Sequence, residues 1–504
     1  MSSTWADWAA LDRRTPVIVG VGQVHQQLDE PGAGDGPIAL MVRAAQLAGD
    51  DSGAPELLRR VGQIAVPEGT WRYRDPARLV ARGVDAADAH TVVVQAGIPQ
   101  QTLLDDAYRA LTDGRLDVAL VVGGEAARRA AIARRAGVEL PDEVVGDDTD
   151  ADERRAPEGE IVSPLEIAAR VVTPAEQYAL IDSALRHAEG RTIDQQRDEI
   201  AALWSGFSRV AAAYPYAEFR RPRTAHDIRE PGPDNRPMAF PYNKWHCSQM
   251  NVDQAAALLL CTLEAAEAAG VEPSRVVFPH VALESSFARS LPRRRDMHRW
   301  PAMEVLGAAA AEHLGVGLDT IEHTEVYSCF PAAVRVQQRA LGLAVDGVPT
   351  ITGGEPFAGG PWNNFVLQVT VAMIELLRSR RGERGLVTTV SGFLTKPGLA
   401  VYGTEPGARP LLVADLREDA ERATSTVPLA EGYSGPARIA AVTVSYERSG
   451  DARTIVVADT PNGARCIATS SDAEVAVRAT TEELIGVDIA VADLEFTIEE
   501  GAHL

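Results

Sequence analysis

Apolar positions along the first quarter of the chain come in short, dense runs separated by polar, glycine-rich turns. The run PVIVGVGQ, ending at Gln23, is β-branched and closes on glycines, which predicts a buried strand entering a loop. Ile38–Ala48 follows with helical spacing, and Gln63–Pro67 and Thr91–Gln95 read as further strands. Gly97 and Pro99 then lead into a helix near Thr102–Thr112, a turn at Asp113–Gly114 and a strand at Val118–Val122. Strand, helix, strand with short connections is the pattern of a parallel α/β layer.

After Glu125 the pattern changes. Residues 126–243 are rich in charge, proline and short helical segments, with an acidic stretch at Gly146–Glu153 and a proline-rich one at Arg220–Pro241. An insertion of this kind either handles substrate or forms a solvated excursion. Val252–Ala269 reads as a helix and Arg275–Val281 as a strand. A second α/β half begins near Ala302 with a helix at Met303–Leu314, and Thr320–Tyr327 leads to a strand end. SCFPAAVRVQQRALG opens another helix, and the glycine-rich loop Ile351–Asn364 feeds a helix at Phe365–Arg378. Leu386–Phe393 and Leu399–Gly403 close it as an antiparallel pair. The similar layout of the halves suggests internal duplication.

Beyond Pro410, Ser434–Glu447, Arg453–Ala458, Ala464–Thr469 and Val487–Thr497 alternate as short strands between Gly, Asp and Pro turns. This resembles a small all-β barrel of the OB type. The expected organisation is an N-terminal half over 1–125 and 244–285, an insertion domain over 126–243, a C-terminal half over 286–406 and a β domain over 407–504. The length of 504 residues accommodates roughly three or four such units.

Charge narrows the function. The chain carries 49 basic and 71 acidic residues, a formal net charge of −22, which argues against nucleic acid and anionic lipid as partners. From Arg409 onward there are eight arginines, no lysine and seventeen carboxylates, so the β domain lacks the basic, aromatic groove that single strands need. Cys247, Cys261, Cys329 and Cys466 form no CxxC pair, and His280, His298, His313 and His323 are too scattered for a metal site. With no membrane-length apolar run and no signal-peptide pattern at the N-terminus, a reduced, cytoplasmic protein is expected. Only Lys244 and Lys396 are lysines, which singles them out.

Taken in order, PVIVGVGQ, VDQAAALLLCT at Val252–Thr262, EVYSCFPAAV at Glu325–Val334, GGEPFAGGPWNNF at Gly353–Phe365 and SGFLTKPGLAVYG at Ser391–Gly403 resemble the thiolase superfamily, most closely its thiolase-like proteins. The resemblance covers roughly residues 14 to 406. It implies an α/β thiolase fold, two duplicated halves in five αβαβα layers, with the insertion helping to hold coenzyme A. VDQAAALLLCT is similar to the glycine- and alanine-rich helix of that family. The resemblance also implies an acetyl-CoA acetyltransferase lineage in lipid metabolism, an acyl-CoA or lipid-like ligand with no permanently bound cofactor, and a homodimer through the N-terminal half. The appended barrel leaves a monomer open.

Thiolase chemistry asks for four groups. A nucleophilic cysteine at a helix N-terminus belongs at about Gly97 or Ile98, where this chain has no nucleophile; Thr102 is the nearest hydroxyl. The histidine of a Gly-His-Pro turn is replaced in Gly359-Gly360-Pro361, leaving Gly360 only a backbone N–H to offer. The second cysteine is replaced by Ser391 before Gly392. The His-Asp-Cys-Phe loop of the sterol-carrier-protein type reads Tyr327-Ser328-Cys329-Phe330, so Cys329 is the family-like reactive group that remains, or else a small buried hydrophobe. Groups of a catalytic unit act together, so these losses argue against ordinary condensation or thiolysis.

Lys244-Trp245-His246-Cys247-Ser248 gathers an amine, an imidazole and a thiol, although neighbours on a strand point apart. Lys396, in the Leu394–Gly398 turn, and Lys244 are candidates to meet the pyrophosphate of coenzyme A. Gly97, Pro99, Tyr327, Ser328, Phe330, Gly359, Gly360, Pro361, Asn363 and Ser391 are the expected pocket, with Asn363 or Asn364 as polar contacts. The expectation is a binder of acyl-CoA or a related thioester with chemistry through Cys329 and backbone donors. The competing expectation is a non-catalytic lipid or coenzyme A carrier or scaffold.

Overall fold

The computed structural model describes residues 4–140 and 149–498. Of the acidic stretch expected over Gly146–Glu153, residues 146–148 lie outside the described residues.

Two mixed sheets sandwich a pair of buried helices. The first sheet orders Pro16–Gln26, Asp253–Thr262, Val118–Ala126, Gln63–Pro67, His90–Val94 and Glu153–Arg155. The second orders His323–Glu325, Arg384–Ser391, Lys396–Gly403, Phe278–Glu284 and Leu412–Asp415. Between them, helices Gln100–Thr112 and Phe365–Ser379 contribute Leu104, Tyr108, Val369 and Met373 to one core that touches both sheets. Helix Pro37–Ser52 covers the outer face of the first sheet, and Pro301–Leu314 with Pro331–Ala340 covers that of the second. Helix, sheet, helix, sheet, helix gives the five expected layers. Gly20 and Gly22 serve that packing: a Cβ on them would lie 1.9 Å from the Ala48 carbonyl oxygen and 2.1 Å from that of Ala44.

The helix expected over Val252–Ala269 is a correction. Asp253–Thr262 is a strand between Pro16–Gln26 and Val118–Ala126, antiparallel to both, and only Leu263–Ala268 is helical. Ala255, Ala257, Leu259 and Cys261 enter the outer core, while Ala256, Leu258 and Leu260 enter the middle one. A strand buried on both faces has no polar alternation, so its alanine-rich run looks helical until the neighbouring strands claim it.

Phe278–Glu284, expected in the N-terminal half, pairs with Lys396–Gly403 in the second sheet. Leu412–Asp415, expected in the β domain, extends that sheet alongside it. The strand Glu153–Arg155, from the insertion, covers the His90–Val94 edge of the first sheet.

Gly435–Tyr446, Ala452–Asp459, Arg465–Ser470, Glu495–Ile498 and Asp488–Ala492 pair in that order and close back on Gly435–Tyr446, giving a five-stranded barrel. Helix Ala473–Thr481, absent from the sequence reading, connects Arg465–Ser470 to Asp488–Ala492, and the segment Val487–Thr497 is a hairpin rather than one strand. The barrel is built onto the insertion. Ser445 pairs with Ala239, the Phe240 N–H donates to the Val444 carbonyl at 2.9 Å, and Arg186 donates to both carboxylate oxygens of Glu483 at 2.6 and 2.7 Å. Among the described residues no helix is long and apolar enough to cross a membrane.

Candidate functional site

A cavity of about 920 Å³ opens where the two halves, the insertion and the barrel meet. Loops at strand ends supply its floor, and the local sequence explains their course. Gly353 and Gly354 both adopt positive φ, 100° and 68°, which glycine permits without steric cost. The preceding threonines are tied down by buried Glu325, which accepts from the Thr350 hydroxyl at 2.9 Å and the Ile351 N–H at 2.8 Å. The chain is thereby turned so that Glu355, whose N–H donates to Ser328 Oγ at 3.2 Å, presents its carboxyl to the cavity.

Around that carboxyl stand Ser248, Tyr327 and Cys329, all lining the same cavity. Glu355 is 3% exposed, and burial pushes its pKa up to about 7 against the opposing effect of the Ser248 and Tyr327 hydroxyls. Its Oε1 has no hydrogen-bond partner among the described residues. Burial, and then the neighbouring Glu355, raise the Cys329 thiol well above its ordinary value, with the Tyr178 hydroxyl acting the other way. That thiol stays protonated near neutral pH, the opposite of what a thiolate nucleophile needs. A buried carboxyl titrating near 7 beside a phenol is suited to move protons.

The cavity gathers Gly97, Tyr327, Cys329, Phe330, Gly360, Asn363 and Ser391 of the expected pocket. Phe330 stacks on Tyr178 at 4.8 Å between ring centres. Asn363 Oδ1 accepts from Gln100 Nε2 at 2.7 Å, and its Nδ2 has no partner among the described residues. Pro99, Ser328, Gly359 and Pro361 stand behind the lining; Pro99 caps helix Gln100–Thr112 and Ser328 holds the Glu355 backbone. Asn364 is also buried behind it. Thr102 donates its hydroxyl to Glu284.

Four further candidate groups have these surroundings. Lys396 is only 2% exposed and donates to the carbonyls of Gly97 at 3.1 Å and Glu158 at 2.7 Å, which ties down the Gly97 turn. Lys244 lies outside the cavity lining, its ammonium 4.9 Å from the centre of the Trp245 ring. The Gly360 N–H is not a free donor, because it is bonded to the Gln249 carbonyl at 3.0 Å. His246 and Cys247 form no dyad: the His246 Nδ1 accepts the Asn243 N–H at 3.0 Å and burial lowers its pKa to about 3, while burial lifts the Cys247 thiol to about 12.

Sequence reasoning missed Glu355, Tyr178 and the barrel's share of the wall, which includes Tyr446 and Arg448. A signal for Glu355 was present, since it is the one acidic residue in GGEPFAGGPWNNF. Among the described residues no cluster of His, Cys, Asp or Glu could hold a metal ion.

A family model described as the thiolase-like protein type 1 additional C-terminal domain matches residues 416–495. Among solved structures, the chain is similar to a monomeric SCP2-thiolase like protein type 1 from Mycobacterium smegmatis, with 26% identity over 97% of this chain and 100% of that one and a TM-score of 0.82. Its fold is also shared by an Ltp2-ChsH2(DUF35) aldolase, at 18% identity over 78% and 98% of the chains with a TM-score of 0.58. The dimeric peroxisomal thiolase of Saccharomyces cerevisiae shares it as well, at 14% identity over 79% and 100% with a TM-score of 0.55. No curated protein matches the chain. The layered α/β architecture, the closed C-terminal barrel and these similarities together support a thiolase-like fold that carries an additional C-terminal domain.

Proposed function

We propose that the cavity binds an acyl-CoA or a related thioester and that Glu355, with Tyr327, moves a proton on the bound acyl group without forming an acyl-enzyme. The observation that carries this reading is the Glu355 carboxyl, buried at the cavity floor and pushed up to about 7 beside the Tyr327 and Ser248 hydroxyls. A carboxyl with that pKa is part ionised at neutral pH and serves as base or acid. As a base it takes a proton from the carbon next to the thioester carbonyl. The electron pair moves to the carbonyl oxygen, where the Asn363 Nδ2 and the Tyr327 hydroxyl are donors of the kind an enolate requires. The fold relative named as an aldolase bears on the same reading, because aldol cleavage also proceeds through such an enolate.

Glu355→Gln keeps the shape and removes the base, so the test is direct. Calorimetric titration with acetyl-CoA and with free coenzyme A measures binding. Exchange of the acetyl protons in heavy water, followed by NMR, measures proton transfer. Binding with exchange that falls at least a hundredfold in the Gln variant is the expected result. Absence of binding to either compound overturns the thioester assignment.

A second reading, a thioester or lipid carrier without turnover, is favoured by the protonated state of both cavity thiols, Cys329 and Cys247. It predicts binding equal in wild type and Glu355→Gln with no exchange in either.

A further inference from the structure

We infer that the C-terminal barrel is part of the ligand site: Arg448 on its first hairpin, together with Arg170 and Arg236 of the insertion, forms a rim that takes the phosphate-bearing end of the ligand. This rests on the ligand reading above and extends it to the mouth of the cavity.

Four arginines line that mouth, against the carboxylates Glu176 and Glu447. Arg453, at the start of the second barrel strand, is already engaged. It donates to the carbonyls of Ala169 at 2.8 Å and Arg170 at 2.9 Å and to Glu176 at 3.0 Å, which clamps the rim loop of the insertion against the barrel. Arg170, Arg236 and Arg448 make no ion pair among the described residues. In a chain of net charge −22, four arginines against two carboxylates around one opening, three of them outside any ion pair among the described residues, form a local field that opposes the global one. Guanidinium groups match phosphate oxygens in geometry as well as charge.

The same rim offers flat and apolar surface. Trp362 is 42% exposed and holds a positive φ of 47°, a strained setting for a large side chain, and Ile167 and Met250 are 61% and 49% exposed. An opening that combines unpaired arginines with an exposed indole suits a nucleoside phosphate better than a bare fatty acid. The barrel's share is fixed in place, because the strand that ends at Tyr446 is paired with the insertion at Ala239. Arg448, two residues beyond that strand, lines the cavity from the exposed hairpin turn.

The test titrates the full-length protein with coenzyme A, with ADP and with pantetheine, which lacks the phosphates, in the wild type and in Arg448→Glu, Arg170→Glu and Arg236→Glu. Coenzyme A and ADP are expected to bind the wild type and to weaken about tenfold or more in each variant, with a smaller loss at high salt. Pantetheine binding is expected to stay unchanged. Failure of ADP to bind the wild type, or equal ADP binding in all variants, overturns the proposal. Loss in Arg170→Glu with none in Arg448→Glu overturns the barrel's part in it. If ADP behaves as expected but neither pantetheine nor acetyl-CoA binds, the rim stands and the thioester reading falls.

Discussion

The carboxylate of Glu355 closes the space beside Gly360: a Cβ built on Gly360 would lie 3.0 Å from Glu355 Oε2, and 2.2 Å from Ser248 Oγ. The position where the family resemblance puts an imidazole is thus walled by a carboxyl and a hydroxyl from two other segments. At Gly360 these neighbours occupy the volume that a side chain would need.

Gly360→Ala should therefore destabilise the protein by about 1–3 kcal/mol, the usual cost of overpacking. Most of that cost comes from the Ser248 hydroxyl, so Ser248→Ala should recover it. Urea unfolding of the two single variants and the double variant measures the coupling. Additive costs would show that the hydroxyl is not what excludes a side chain at 360.

Stability should depend on pH through Glu355. Its folded pKa of about 7 lies above the ordinary carboxyl value of 4.5, so the folded state binds its proton more tightly than the unfolded state. The group's contribution is fully present below about 4.5 and is lost as pH rises to about 7, at about 1.4 kcal/mol per pH unit. Glu355→Gln abolishes this titration. Melting curves should show the variant gaining on the wild type between pH 5 and 7.5; a constant difference would mean that Glu355 is ordinary.

Arg335 is predicted to be the least replaceable charge. It is 1% exposed and donates to Asp182 at 2.7 Å, Glu189 at 3.1 Å and Glu199 at 3.3 Å, joining helix Pro331–Ala340 to the insertion. Arg335→Ala strands the buried Asp182 carboxylate beside two half-buried ones and should cost about 3–5 kcal/mol. The exposed pair Arg438–Asp488 on the barrel should barely matter, and chemical denaturation compares the two.

A monomer is predicted in solution. The family resemblance implies dimerisation through the N-terminal half, and there one edge of the first sheet ends in Glu153–Arg155, a short charged strand whose Arg155 is paired with Asp106 and Glu153. Short charged edge strands discourage pairing with another chain. Light scattering giving twice the chain mass would show that another surface joins two copies.

By itself the sequence determined the periodic elements and their order. Strand Gln63–Pro67 falls where its β-branched run and turn signals put it, and helix Phe365–Ser379 differs by one residue from its apolar spacing. These follow from local pattern, as does the alternation of short strands in the C-terminal barrel. Tertiary structure alone decided that Asp253–Thr262 is a strand, because burial on both faces erases the polar alternation that distinguishes strand from helix. It also decided the site. Ser248, Tyr327 and Glu355 lie on three separate segments, and neither their meeting nor the raised pKa that burial gives the carboxyl exists until the chain has closed around them. Tertiary structure likewise set the surroundings of the two lysines that composition singled out: Lys396 donates to backbone carbonyls, and Lys244 lies against Trp245 outside the cavity lining.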